Sequence, residues 1–193
     1  MEMENERRLP LPRDTVWEAL NDPDVLQACI PGCEAFDKAD ENTYDAVVSA
    51  KVGPVKARFK GRLTLDDIQP PESYSMSFEG KGGQAGFVKG SASVRLDEEE
   101  GGCRVGYSAK ATLGGKLAQL GSRLVDGAAH KTANDFFDNF VEHMGGGTEE
   151  AAAGEGAESA EGQGQASAAA SGRNVWPWVV AAGVLVLIAI AVL

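Results

Sequence analysis

The sequence predicts an α+β fold, in which a curved antiparallel sheet packs around a long C-terminal helix, plus one C-terminal transmembrane helix. Apolar and polar side chains alternate through most of residues 33–111, which is typical of an antiparallel sheet with one covered face. Residues 116–143 then carry a broad apolar stripe with helical spacing. Residues 176–193 contain no charged or strongly polar side chain, and about 20 such residues span a bilayer as a helix.

The first 32 residues predict one strand and two short helices. The strand covers Met3–Leu9 and ends at a Pro-Leu-Pro sequence. A helix follows over residues 13–20, with Asp14 or Thr15 as its expected cap. Pro23 suits the first turn of a second helix that ends before Pro31.

The alternating region is divided into strands by turn signals rich in glycine and proline. The most regular strand covers residues 55–65, where basic side chains alternate with apolar ones. The predicted strands are residues 43–52, 55–65, 73–78, 88–96 and 103–111. The stripe on the long helix comprises Leu117, Leu120, Leu124, Ala128, Ala133, Phe136, Phe137, Phe140 and Met144.

Composition predicts three regions. Residues 1–144 suit one folded domain. Residues 145–174 are rich in Gly, Ala and Glu and contain no large apolar residue, so they are expected to form a disordered tether. Residues 175–193 form the expected membrane anchor, with Trp176 and Trp178 at the headgroup level. A soluble core helix is the alternative, but such a helix normally has a polar face.

Charge and the N-terminal sequence limit the partners. The net charge is −11, which is unsuited to nucleic acid and to broad adhesion to anionic lipid. The acidic N-terminus is not followed by an apolar segment typical of a secretory signal. We therefore expect a single-pass protein at the cell membrane, with its N-terminal domain on the cytoplasmic face.

Three segments of the chain resemble the CoxG family of carbon monoxide dehydrogenase subunits. They are residues 22–34, residues 52–57 and residues 115–123, which read DPDVLQACIPGCE, VGPVKA and GKLAQLGSR. The family belongs to the START-like (SRPBCC, Bet v 1-like) helix-grip superfamily. The resemblance implies an accessory protein that brings a molybdenum hydroxylase complex to the membrane and carries a quinone, menaquinone or ubiquinone.

The covered face of the predicted sheet has many small residues, as does the helix opposite. Layers about 10 Å apart would then enclose an apolar hollow for a quinone or lipid. Its expected lining is Phe59, Leu63, Met76, Phe78, Val88, Tyr107, Leu117, Leu120 and Leu124. Tyr107 would hydrogen-bond a quinone carbonyl, or would be a core residue whose hydroxyl contacts water. Ordinary close packing with seams of small residues is the alternative.

Four basic residues alternate along one strand and form the expected surface for an enzyme partner or the membrane. They are Lys56, Arg58, Lys60 and Arg62. The alternative is a solvated strand face whose charges are balanced by neighbouring acids.

Catalytic and metal-binding patterns are weak. Cys29, Cys33 and Cys103 are expected to be buried or loop thiols, and His130 and His143 have no obvious nucleophile to assist. We therefore expect no enzyme activity and no metal. A docking or maturation adaptor without a ligand, and a START-like enzyme acting on a hydrophobic substrate, are the alternative functions.

Overall fold

The computed structural model describes residues 1–145, and these form the predicted α+β fold. The elements in chain order are β1 (Glu2–Leu9), α1 (Arg13–Leu20), α2 (Pro23–Cys29), β2 (Cys33–Asp40), β3 (Thr43–Val52), β4 (Val55–Gln69), β5 (Ser73–Lys81), a 3-10 turn (Gly83–Ala85), β6 (Phe87–Glu99), β7 (Gly102–Gly114), α3 (Lys116–Gln119) and α4 (Ser122–His143).

The seven strands form one antiparallel sheet in the order β1-β7-β6-β5-β4-β3-β2. Alternate side chains of its strands are buried on one face, and this face and α4 contribute to a single hydrophobic core. The Tyr107 ring on β7 lies 5.6 Å from the Phe137 ring on α4, measured between centroids. The sheet therefore has an inner face toward α4 and an outer face toward solvent.

Both short helices form where the sequence predicts them, but the predicted cap of the first is wrong. The N-cap residue of α1 is Pro12, and neither Asp14 nor Thr15 caps the helix. In α2 the Asp22 side chain accepts hydrogen bonds from the backbone N–H groups of Asp24 and Val25. These bonds satisfy donors that the first turn of a helix leaves free.

The predicted helix over residues 116–143 is interrupted near its start. Gly121 has a φ of 81°, which a helix cannot contain, so α4 begins only at Ser122. The interruption changes which side chains face the sheet. Val125 and Ala129 are buried, whereas Leu124 is 51 % exposed. The prediction that Leu124 lies in the core is therefore wrong.

The edge strand β2 was not predicted as a separate strand. Among its eight residues Phe36 alone is buried, so alternation gives almost no signal. The Phe36 ring stacks on the Tyr44 ring of β3 at a centroid distance of 5.3 Å. This contact attaches the edge strand to the core.

The predicted tether beyond Gly145 and the predicted anchor, including Trp176 and Trp178, lie outside the described residues. Between Met1 and Gly145, no helix combines the length and the apolar character needed to cross a bilayer.

Candidate functional site

Most of the side chains predicted to line an apolar space lie together on the inner face. Leu120 is only partly buried, and Leu124 is exposed as described above. The buried members are Phe59, Leu63, Met76, Phe78, Val88, Tyr107 and Leu117, each at most 4 % exposed. These seven residues define the inner apolar cluster.

Aromatic rings occupy part of the room that small residues leave on the inner face. A Cβ atom added to Gly82 would lie closer than 3.0 Å to the ring of Phe59, and one added to Gly90 would be 2.9 Å from Phe78. These separations are far shorter than ordinary van der Waals contacts, so the two rings lie directly on glycine backbone. This part of the inner face is closely packed.

The Tyr107 hydroxyl, predicted to bind a quinone, already has a neighbour. Burial raises the pKa of Tyr107, while the charge of Arg7 and a side-chain hydrogen bond with Asn5 oppose that rise. Asn5 is directly opposite Tyr107 in the β1–β7 register. The Tyr107 hydroxyl therefore already has one polar partner on β1.

A second tyrosine, Tyr74 on β5, has a buried hydroxyl without a hydrogen-bond partner among the described residues. Tyr74 is 2 % exposed, and its hydroxyl has no hydrogen-bond partner within residues 1–145. The ring packs edge-on against Trp17 at 5.8 Å, and burial raises the pKa of Tyr74. The alternation of Tyr74, Met76 and Phe78 placed this residue on the inner face, but only the structure shows its unpaired hydroxyl.

The cysteines have the character of structural thiols. Cys29 and Cys103 are buried and Cys33 is half-buried, and all three are free thiols. Burial raises the pKa of each thiol to about 11, so few are thiolates at neutral pH. Over residues 1–145, no group of three or more His, Cys, Asp or Glu side chains is arranged to hold a metal ion.

The basic set on β4 divides into paired and unpaired residues. Arg58 Nε donates to Glu34 Oε2 at 2.6 Å, and Arg62 makes two bonds of 2.7 and 2.9 Å to Asp45. Hydrogen bonds from Ser49 and Arg58 lower the pKa of Glu34, and that from Arg62 lowers the pKa of Asp45. Lys56 and Lys60 make no ion pair in the described part of the chain.

The outer face also has an open depression of about 580 Å³ across β1, β7, β6, β5 and the end of β4. Its lining includes Ser93 and Ser108, whose hydroxyl oxygens are 2.9 Å apart, and Ser75, which donates to Asp67 at 3.0 Å. The hydroxyl groups of Ser75, Ser93 and Ser108 are therefore already hydrogen-bonded.

Residues 6–145 match the protein family described as the CoxG subunit of carbon monoxide dehydrogenase. The chain belongs to this family. The matched CoxG region runs from β1 to the end of α4 and so includes the whole inner apolar cluster and Tyr74. Among proteins with curated descriptions, none matches the chain.

Solved structures show that this CoxG chain has a START/Bet v 1-like fold. A conserved protein from Geobacillus kaustophilus has a TM-score of 0.71 and 28 % identity, over 76 % of this chain and 96 % of its own. A Thermus thermophilus protein has a TM-score of 0.57 and 16 % identity, over 77 % of this chain and 100 % of its own. The structure of Ara h 8.0201 has a TM-score of 0.54 and 17 % identity, over 75 % of this chain and 98 % of its own. The matched region makes up 96 % of the Geobacillus chain, so that chain is little more than this domain.

Proposed function

We propose that this protein is a membrane-attached accessory protein, without catalytic activity, that recruits a molybdenum hydroxylase and binds a quinone or lipid in the apolar interior beside the inner face of the sheet. Membership of the CoxG family of carbon monoxide dehydrogenase subunits supports the hydroxylase partner. The observation that carries the ligand proposal is the unpaired Tyr74 hydroxyl in an apolar interior.

A quinone matches this interior in two ways. Its isoprenoid tail would remove apolar surface from water, which is favourable by roughly 25 cal/mol per Å². One of its carbonyl oxygens would accept a hydrogen bond from Tyr74. A buried donor without a partner costs about 1–3 kcal/mol, and ligand binding would recover this cost.

The apolar residues 176–193 support attachment to the bilayer, where quinones are dissolved. A domain held there meets its ligand and its enzyme partner at a raised local concentration. Tethering therefore suits a protein that mediates between the membrane and a hydroxylase.

Replacing Tyr74 by phenylalanine is expected to weaken quinone binding by roughly 5- to 100-fold, because one hydrogen bond to a buried group is lost. The ligand-free variant should be as stable as the parent or more stable, because the unpaired hydroxyl is removed. The measurements are quinone titration of the detergent-solubilised full chain and its thermal unfolding. Tyr107→Phe is the matched control and should change affinity much less.

Organic extraction and mass spectrometry of the full chain, purified from quinone-containing membranes, test the ligand directly. The proposal expects a quinone or lipid bound in a fixed ratio. A protein that never retains either, in a preparation that unfolds cooperatively, would contradict the ligand half. The close contacts of Phe59 with Gly82 and of Phe78 with Gly90 would then favour a docking adaptor without a ligand.

Affinity purification of the full chain from cells that produce a molybdenum hydroxylase tests the partner half. We expect the hydroxylase polypeptides and molybdenum to co-purify in the membrane fraction. A chain ending at residue 145 should still bind the hydroxylase but leave it in the soluble fraction. Failure of both chains to bind the enzyme would contradict recruitment.

A further inference from the structure

Basic and acidic residues are strongly separated along this chain. Residues 46–65, 80–96 and 101–125 contain twelve of its 18 Lys and Arg residues and none of its 29 Asp and Glu residues. A chain with a net charge of −11 would rarely keep three such segments free of acids by chance. Their arrangement in the fold therefore needs an explanation.

The fold brings parts of these three segments together at one end of the sheet. The β3–β4 turn follows Val52, and the β5–β6 connection follows Lys81, which pairs with Lys60 in the sheet register. The last residue of β7, Gly114, pairs with Phe87 at the start of β6. Six exposed bases at this end define the basic tip: Lys51, Lys56, Lys60, Lys81, Lys116 and Arg123.

Positive charges are placed next to one another in the basic tip, and the acid beside it, Glu34, is paired with Arg58. Lys51 is directly opposite Lys56, and Lys60 is directly opposite Lys81, although like charges in such positions destabilise a sheet. None of the six bases makes an ion pair within residues 1–145. The acids nearest along the chain, Glu79 and Asp126, lie just outside these segments. Folding alone does not account for this arrangement.

Apolar side chains are exposed at the same end. Among residues 1–145 the exposed large hydrophobic side chains are Phe87, at 43 %, and Leu124, at 51 %. Phe87 lies over Gly114, and Leu124 lies beside Gly53 of the β3–β4 turn. An open depression of about 380 Å³, bordered by Lys56 and Lys116, lies between β4 and the 3-10 turn.

We infer that the basic tip, with Phe87 and Leu124, docks onto the surface of a bilayer that contains anionic lipids. Five of its six bases are lysines, which are depleted at protein–protein interfaces. Near an anionic membrane each Lys or Arg contributes about 1 kcal/mol, or roughly fivefold in affinity. Exposed Phe and Leu side chains among lysines are typical of surfaces that enter the headgroup region.

Docking in this orientation would place the 3-10 turn and the start of α3 next to the lipid. The inference shares the membrane location with the proposed function but requires neither a quinone nor a hydroxylase. A fragment of residues 1–145 tests it separately, because the seven-stranded sheet and its hydrophobic core lie within these residues. The fragment also removes the five glutamates beyond residue 145, which could compete for the basic tip.

Co-sedimentation of the fragment with vesicles measures this docking. We expect binding to phosphatidylcholine vesicles containing about 30 % phosphatidylglycerol and no binding to phosphatidylcholine alone. Binding should weaken as ionic strength rises, because the Debye length shortens from about 10 Å at 0.1 M to about 3 Å at 1 M. The double variant Lys56→Glu, Lys60→Glu should lose at least about tenfold in affinity.

Two further variants make the result specific. Phe87→Ser with Leu124→Ser should weaken binding at every salt concentration. The control variant Arg95→Glu, Lys131→Glu changes the net charge by the same amount, but at positions away from the basic tip. It should lose much less affinity for the anionic vesicles. Equal losses for both charge variants, or no binding to the anionic vesicles, would overturn the inference. Unchanged vesicle binding by the Lys56 and Lys60 variant, with lost hydroxylase binding, would instead assign the surface to a protein.

Discussion

Replacing Phe136 by alanine is expected to lower the free energy of unfolding by about 3–5 kcal/mol, the usual cost of removing a large buried ring. Phe136 is 0 % exposed. Its ring lies 5.2 Å from that of Phe137 and 5.7 Å from that of Phe140, between centroids. Phe137 in turn contacts Tyr107 on β7. Loss of the Phe136 ring would therefore weaken the contact between α4 and the sheet.

Leu124→Ala on the same helix is the matched control. Since Leu124 is 51 % exposed, its replacement should change stability by no more than about 0.5 kcal/mol. Urea unfolding of the two variants, followed by circular dichroism, gives both values. A loss above about 2 kcal/mol for Leu124→Ala, or below about 1 kcal/mol for Phe136→Ala, would contradict the assignment of the buried face of α4.

The pattern of side chains predicted the sheet well because burial on one face forces a period of two. It predicted the start of α4 poorly. Leu117, Leu120 and Leu124 have helical spacing, but this spacing cannot show that Gly121 interrupts the helix with a positive φ. Beyond the interruption Val125, rather than Leu124, faces the sheet.

The inner apolar cluster could be predicted for the same reason, since most of its members lie on alternate positions of regular strands. The polar interactions could not be predicted from the sequence. The pairing of Arg58 with Glu34 and of Arg62 with Asp45 depends on the register of β2, β3 and β4. The unpaired hydroxyl of Tyr74 depends on all of its surroundings, and the basic tip combines three segments that are distant in sequence.

Replacing Gly32 by alanine is expected to destabilise the protein by about 2–5 kcal/mol, the combined cost of backbone strain and overpacking. Gly32 has a φ of 74°. An added Cβ would lie closer than 3.0 Å to the backbone oxygen of Ser49 on β3. The Gly32 carbonyl also accepts a hydrogen bond from the Ser49 N–H at 2.8 Å, so the two segments cannot separate without losing it.

Replacements at two other glycines separate the cost of backbone strain from the cost of overpacking. Gly121 has a φ of 81° but open space where a Cβ would lie, so Gly121→Ala should cost only the strain, about 1–3 kcal/mol. Gly127 lies within α4 with open space around it, so Gly127→Ala should stabilise the protein by about 0.5–1 kcal/mol. Urea unfolding of the three variants at one temperature measures the series.

The order of the three results decides what the Pro31-Gly32 turn requires. If Gly32→Ala costs clearly more than Gly121→Ala, the close approach of this turn to β3 adds to the strain, and no other residue type fits there. Equal costs would mean that the backbone at residue 32 moves away from Ser49 at little expense. In that case the close approach of the Pro31-Gly32 turn to β3 would add nothing to the cost of a side chain at residue 32.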